Sequence, residues 1–289
     1  MNVYEQPIYN RQRYLLAFTE ALHDKGISRT NLQKLIFLSG QYTKELYYDF
    51  IPYKSGPYSF QMNKDIDVLC LNGYLQVINS KIYVKKHILF SFDSKIVPER
   101  GYDLLRRIYR EFPYYTVNST MLSRLFTRKE AYDIMSGRKR FPIQCRDVLF
   151  TIGYEGRTLE SFINVLIQNG IKLLCDVRKN PVSRKFGFSV KMLEHTLSSI
   201  GIKYISIPEL GIDSIKRMNL ESAKDYDILF AEYRNNINSR IKYIEKVRRL
   251  LVKYHSIALM CYEKDPNMCH RNIIRERMTE LYGTESINL

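Results

Sequence analysis

The stretch SIALMCYEKDPNMCHR, Ser256 to Arg271, passes from an unbroken apolar run into a polar loop and then into the first residues of a helix. An apolar run of this length, bounded by turn residues such as Pro266, is a buried strand. Working outward, the same alternation repeats. VLFTIGY (148–154) reads as a strand, LESFINVLIQNG as an amphipathic helix ending at Gly170, and IKLLCDV (171–177) as a second strand. VKMLEHTLSSIG is a helix ending at Gly201, IKYISIP (202–208) a third strand, and two helices cover roughly residues 222–254 before the quoted segment. Short apolar runs separated by amphipathic helices predict a parallel sheet wrapped by helices over residues 147–289.

In such sheets ligands sit at the carboxyl ends of the strands. The residues that follow the four strands are Gly153-Tyr154-Glu155-Gly156-Arg157, then Asp176-Val177-Arg178 with Pro181, Ser183 and Arg184, then Pro208-Glu209-Leu210-Gly211, and finally Cys261-Tyr262-Glu263 followed by Cys269-His270-Arg271. Carboxylates at Glu155, Asp176 and Glu263 suit general acid/base work or stabilisation of a cationic, sugar-like transition state. Arg178, Arg184, His270 and Arg271 can hold phosphates, helped by a helix N-terminus near Cys269. Tyr154 and Phe186 can sandwich a base, and Cys261 and Cys269 border the same pocket.

Other readings of these residues stand beside that one. Cys261, Glu263, Cys269 and His270 are each potential zinc ligands, but the paired Cys-x-x-Cys spacing of structural zinc and the deaminase signature are both missing. A thiol nucleophile is also open, although Cys261 ends a buried strand and Cys269 can simply pack. Asp176–Arg178 and Glu263–Arg271 can be ion pairs within the domain, with His270 as a cap, which describes a nucleotide sensor without catalysis. The three acidic ligands of a two-metal nuclease are not evident. The expectation carried forward is an enzyme, with catalytic Glu155, Asp176 and Glu263, acting at an N-glycosidic bond without metal or other cofactor; the base would have to be flipped from the duplex.

The phrases TIGYEGRTLESFINVLIQNGI, LCDVRKNPVSRKFGFS, YISIPELG and LMCYEKDPNMCHR resemble the domain-of-unknown-function family 488, whose hallmarks include a strand-end Asp-x-Arg and a Cys-x-Glu followed by Cys-His-Arg. The resemblance spans about residues 147 to 280 and implies a Rossmann-like α/β domain. It hands over no reaction. Defence against modified phage DNA is suggested by the resemblance and not by any spacing.

Residues 1–97 have another texture: helices over RQRYLLAFTEALHDKGISRTNLQKLIFLSGQY broken at Gly26, a third helix FQMNKDIDVLCLNGY stopped at Gly73, then LQVI, Asn79-Ser80 and KIYVKK as a hairpin. Helices followed by a two-stranded wing predict a winged-helix-like domain, which can place a helix in the DNA major groove but also serves in dimerisation and docking. Residues 98–146 read as a helical basic bridge. The candidates for phosphate contact in these two segments are Lys54, Arg138, Lys139 and Arg140.

Charge points the same way. Lys and Arg number 45 against 30 Asp and Glu, a formal net charge of +15, with 23 Tyr and 14 Phe available for stacking. The expected partner is nucleic acid, DNA before RNA, with no membrane partner; the oligomeric state is open. Five scattered cysteines do not look like a disulfide framework, and MNVYEQPIYNRQRY lacks the pattern of a signal peptide, so a cytoplasmic location is expected.

Overall fold

The computed structural model describes residues 9–22, 26–138, 146–217 and 222–289. The chain divides into two compact units, 1–140 and 141–289.

The N-terminal unit opens with α1 (Asn10–Ala21), β1 (Ile27–Ser28) and α2 (Arg29–Thr43), followed by a hairpin of β2 (Ile51–Tyr53) and β3 (Gly56–Tyr58), then α3 (Phe60–Leu71) and a second hairpin of β4 (Leu75–Ile78) and β5 (Lys81–Val84). Ser28 caps α2 by accepting from the Asn31 amide at 3.2 Å, and Ser59 caps α3 by accepting from Met62 at 3.2 Å. Each such cap is worth about 1 kcal/mol. Asn79 and Ser80, both at positive φ, close the second hairpin, and β1 pairs with β5 to give a three-stranded antiparallel sheet.

Residues 98–138 of the segment expected as a separate bridge, 98–146, belong to this unit. Helix α4 (Gly101–Glu111) buries Leu104, Leu105, Ile108 and Tyr109 in the same core as Leu15, Phe18 and Leu35. The short α5 (Leu122–Leu125) and α6 (Arg128–Ser136) follow, and Leu122, Leu125 and Ile134 join that core. The reason is amphipathicity: a helix with one apolar face must cover it, and α2 lies beside it. The Thr120 amide and the Asn118 side chain donate to the carbonyls of Lys54 and Pro52, tying the segment to the first hairpin.

The C-terminal unit is a five-stranded parallel sheet with flanking helices, a Rossmann-like α/β domain as expected. In chain order it runs β6 (Val148–Gly153), α7 (Leu159–Gln168), β7 (Leu173–Asp176), α8 (Val190–Ser199), β8 (Lys203–Ser206), α9 (Ala223–Asn235), α10 (Ile241–Tyr254), β9 (Ser256–Cys261), α11 (His270–Tyr282) and β10 (Glu285–Asn288). The spatial order is β10-β6-β9-β7-β8. β6 and β9 are buried along their whole length, as continuous apolar runs in a parallel sheet should be. The edge strand β10 was not anticipated; ESIN is short, with Ile287 as its one apolar residue, and it pairs with β6 from Glu285↔Val148 to Asn288↔Thr151. Among the described residues no helix is long and apolar enough to cross a membrane.

Candidate functional site

Register decides which strand ends come together. β9 lies between β6 and β7, with Gly153 opposite Cys261 and Asp176 opposite Met260, so these three strands stop at the same level. The loops after them meet closely. A Cβ on Gly153 would stand 1.8 Å from the Glu263 carbonyl oxygen, and one on Gly211 would stand 2.2 Å from the Lys179 amide nitrogen. Glycine is required at both places because backbone passes against backbone there.

At this edge lies a cleft of about 180 Å³, bordered by Tyr154, Arg178, Lys179, Asn180, Val182, Ile212, Cys261, Tyr262 and His270. Tyr262, 46% exposed, is the aromatic face open to a ligand. Tyr154 is 4% exposed and stacks on Phe188, with ring centroids 4.3 Å apart and planes 12° from parallel. That stacking corrects the expected Tyr154–Phe186 sandwich: Phe188 occupies the place a base would need, and Phe186 is half-buried beside it in the chain.

Asp176 is fully buried and engaged. It accepts from the Arg178 amide at 3.1 Å, from Arg178 Nε at 2.9 Å and Nη2 at 2.6 Å, and from the Tyr204 hydroxyl at 2.8 Å. Arg178 also donates to the Tyr154 hydroxyl and to the Phe188 carbonyl. Burial alone would lower the Arg178 pKa, but bonding to the Asp176 carboxylate outweighs it and holds the guanidinium charged. Burial first, and then the Asp176 charge, push the Tyr204 phenol well up. This ion pair, one of the alternatives the sequence left open, makes Asp176 a positioning group for Arg178.

The other expected residues separate by role. Glu155 is exposed, and its Oε2 accepts from the Lys264 amide at 2.9 Å, linking the loops after β6 and β9. Glu263 is half-buried in the loop that continues from Tyr262. Arg184 is exposed. Arg271, expected as a phosphate ligand, is fully buried; its Nη1 and Nη2 donate to the carbonyls of Glu263 at 2.6 Å and Lys264 at 3.0 Å. Its expected ion pair with Glu263 is thus a bond to that residue's backbone, because the loop folds its carbonyls inward onto α11.

His270 is 1% exposed, and its Nε2 lies 3.0 Å from the Val177 carbonyl. A carbonyl only accepts, so the proton sits on Nε2 and the Nδ1 lone pair faces the other way. There it meets the sulfurs of Cys261 and Cys269, each 3.9 Å distant. Burial and the neighbouring Cys261 push the Cys269 thiol well up, which keeps it protonated at neutral pH. Lys179, Asn180, Tyr204 and Tyr262 are the site residues that the sequence reading passed over; Lys179, Asn180 and Tyr262 stand beside residues it did select.

Residues 158–278 match the family model described as a domain of unknown function, DUF488. The C-terminal unit is thus similar to that family over most of its length. The match takes in Asp176, Arg178, Cys261, Glu263, Cys269, His270 and Arg271, while Tyr154 and Glu155 lie just ahead of it. No curated protein and no solved structure gives a significant match to the chain.

In the N-terminal unit, the expected phosphate contacts also divide. Lys54 is exposed at the tip of the first hairpin. Arg138 is turned inward, its Nε and Nη2 donating to the Thr116 hydroxyl at 2.7 Å and carbonyl at 2.9 Å. Lys139 and Arg140 lie outside the described residues. Helix α3 carries two acids engaged with neighbours, Asp65 with Arg11 and Asp67 with Arg29, whereas the second hairpin presents Lys81 and Lys85 to solvent.

Proposed function

We propose that the protein binds DNA through the N-terminal domain and holds a nucleotide base in the strand-end cleft of the C-terminal domain, where water replaces the base at the sugar carbon, breaking the N-glycosidic bond and leaving a free base and an abasic sugar. The observation that carries this reading is the convergence of three loops, after β6, β7 and β9, on one cleft with a cation at Arg178 and an open aromatic face at Tyr262. Base stacking on a tyrosine and phosphate pairing with arginine are the two contacts a nucleotide needs. The net charge of +15 supplies attraction to a polyanion, and the lysines of the second hairpin suit backbone phosphates better than the acidic α3. With Asp176 engaged by Arg178, the acid/base role falls to Glu263, and Glu155 braces the loop beside it.

A second reading is favoured by a particular observation: among the described residues no carboxylate borders the cleft itself. On that reading the domain senses a nucleotide and leaves it intact. Mass spectrometry of what the purified protein releases from unmodified and base-modified phage DNA, with alkali to reveal abasic sites, separates the two. A free base with alkali-labile DNA, lost in Glu263→Gln with binding retained, supports the enzyme. Tight binding with intact DNA across the panel overturns it in favour of the sensor.

A further inference from the structure

We propose that Cys261, Cys269 and His270 form a binding site for one zinc-like divalent transition-metal ion, with a fourth coordination position open to the cleft. The three ligand atoms all lie within 4.8 Å of one another, and each sulfur is 3.9 Å from the imidazole Nδ1. Around a tetrahedral zinc with bonds of about 2.3 Å to sulfur and about 2.0 Å to nitrogen, the sulfur–nitrogen separation is about 3.6 Å. Both sulfur–nitrogen separations therefore need to close by only a few tenths of an ångström to take the ion. Thiolate and imidazole together select a borderline-soft ion such as zinc over magnesium or calcium.

The imidazole is already set for the task. Its Nε2 proton is held by the Val177 carbonyl, which fixes the ring and directs the Nδ1 lone pair at both sulfurs. An outer bond from the distal nitrogen to a backbone carbonyl is the usual support of a metal-bound histidine. The three residues are buried, so the dication needs compensating charge, and two thiolates supply it.

Among the described residues the group has three members, and Cys261 and His270 also border the cleft. Three protein ligands with a position left for solvent or substrate is the arrangement of reactive zinc sites, whereas structural sites are closed by four. The spacing resembles no zinc-knuckle pattern because the fold gathers the ligands: Cys261 ends β9, Cys269 stands at the N-cap position of α11 and His270 begins it.

The test uses the full chain, stripped with a chelator and titrated with cobalt(II). One cobalt per chain is expected, with near-ultraviolet thiolate charge transfer and the intense visible bands of tetrahedral cobalt, and zinc displaces it. Cys261→Ser and Cys269→Ser each weaken the charge-transfer band, and His270→Ala lowers affinity at least tenfold; circular dichroism checks that each variant folds. Absence of the tetrahedral spectrum in a folded wild-type protein overturns the site, as does its persistence in the Cys261→Ser/Cys269→Ser double variant. The readout does not involve DNA, so it stands or falls apart from the proposed glycosidic activity.

Discussion

Replacing Asp176 by Asn distinguishes a positioning carboxylate from a catalytic one. In the folded protein Asp176 accepts four donors, three from Arg178 and one from Tyr204, and Arg178 is 6% exposed. Asn keeps one acceptor oxygen, but it removes the charge and turns an NH2 group toward donors. Breaking a buried ion pair from one side costs about 3–5 kcal/mol, and the retained oxygen places this change at the low end, about 3 kcal/mol. With a urea slope of about 2 kcal/mol per molar, the unfolding midpoint of the C-terminal domain should fall by about 1.5 M. Urea titration followed by circular dichroism, with hydrogen exchange resolved to peptides around β7 and β8, measures this. Asp176→Leu/Arg178→Met should recover part of the loss, because no charge is then left buried alone. A midpoint within about 0.3 M of wild type, combined with abolished turnover, would refute the positioning role and return Asp176 to the catalytic set.

Two further outcomes follow from buried cations. Lys34 is 3% exposed, and burial pushes its pKa down from 10.5 to about 7. The unfolded chain therefore binds the proton more strongly, so stability should rise as pH increases from about 7 toward 10 and be lowest below 7. Lys34→Met should stabilise the N-terminal domain by a few kcal/mol at neutral pH, with the gain fading near pH 10; a pH-independent difference in melting would contradict this. Arg271→Lys should cost about 2–3 kcal/mol, since one ammonium cannot replace the fork that reaches the Glu263 and Lys264 carbonyls. Faster hydrogen exchange at the Glu155 and Lys264 amides is expected with it, and unchanged exchange would mean that the fork does not hold the loop.

The alternation of apolar runs and amphipathic helices from Val148 to Arg271 was enough to read the α/β domain, because a strand buried on both faces must be apolar throughout. It was also enough to gather the candidate residues at the strand ends, since topology puts every strand-end loop on one edge. β10 escaped notice because an edge strand needs little apolar content, and residues 98–138 were separated from the first domain because amphipathicity shows that a face is covered without showing by what.

Which strand-end residues border the cleft was decided by the tertiary structure. Asp176, Glu155 and Glu263 are chemically alike in the sequence, yet a buried arginine two residues away engages the first, and a neighbouring loop's amide engages the second. Arg178 and Arg271 are likewise the same side chain with different surroundings, one bordering the cleft and the other enclosed beneath a loop. Cys261 and Cys269 stand eight positions apart along the chain, with His270 adjacent to the second. They converge because the register of β9 against β6 and β7 sets the strand end where α11 begins, and local spacing carries no record of a sheet register.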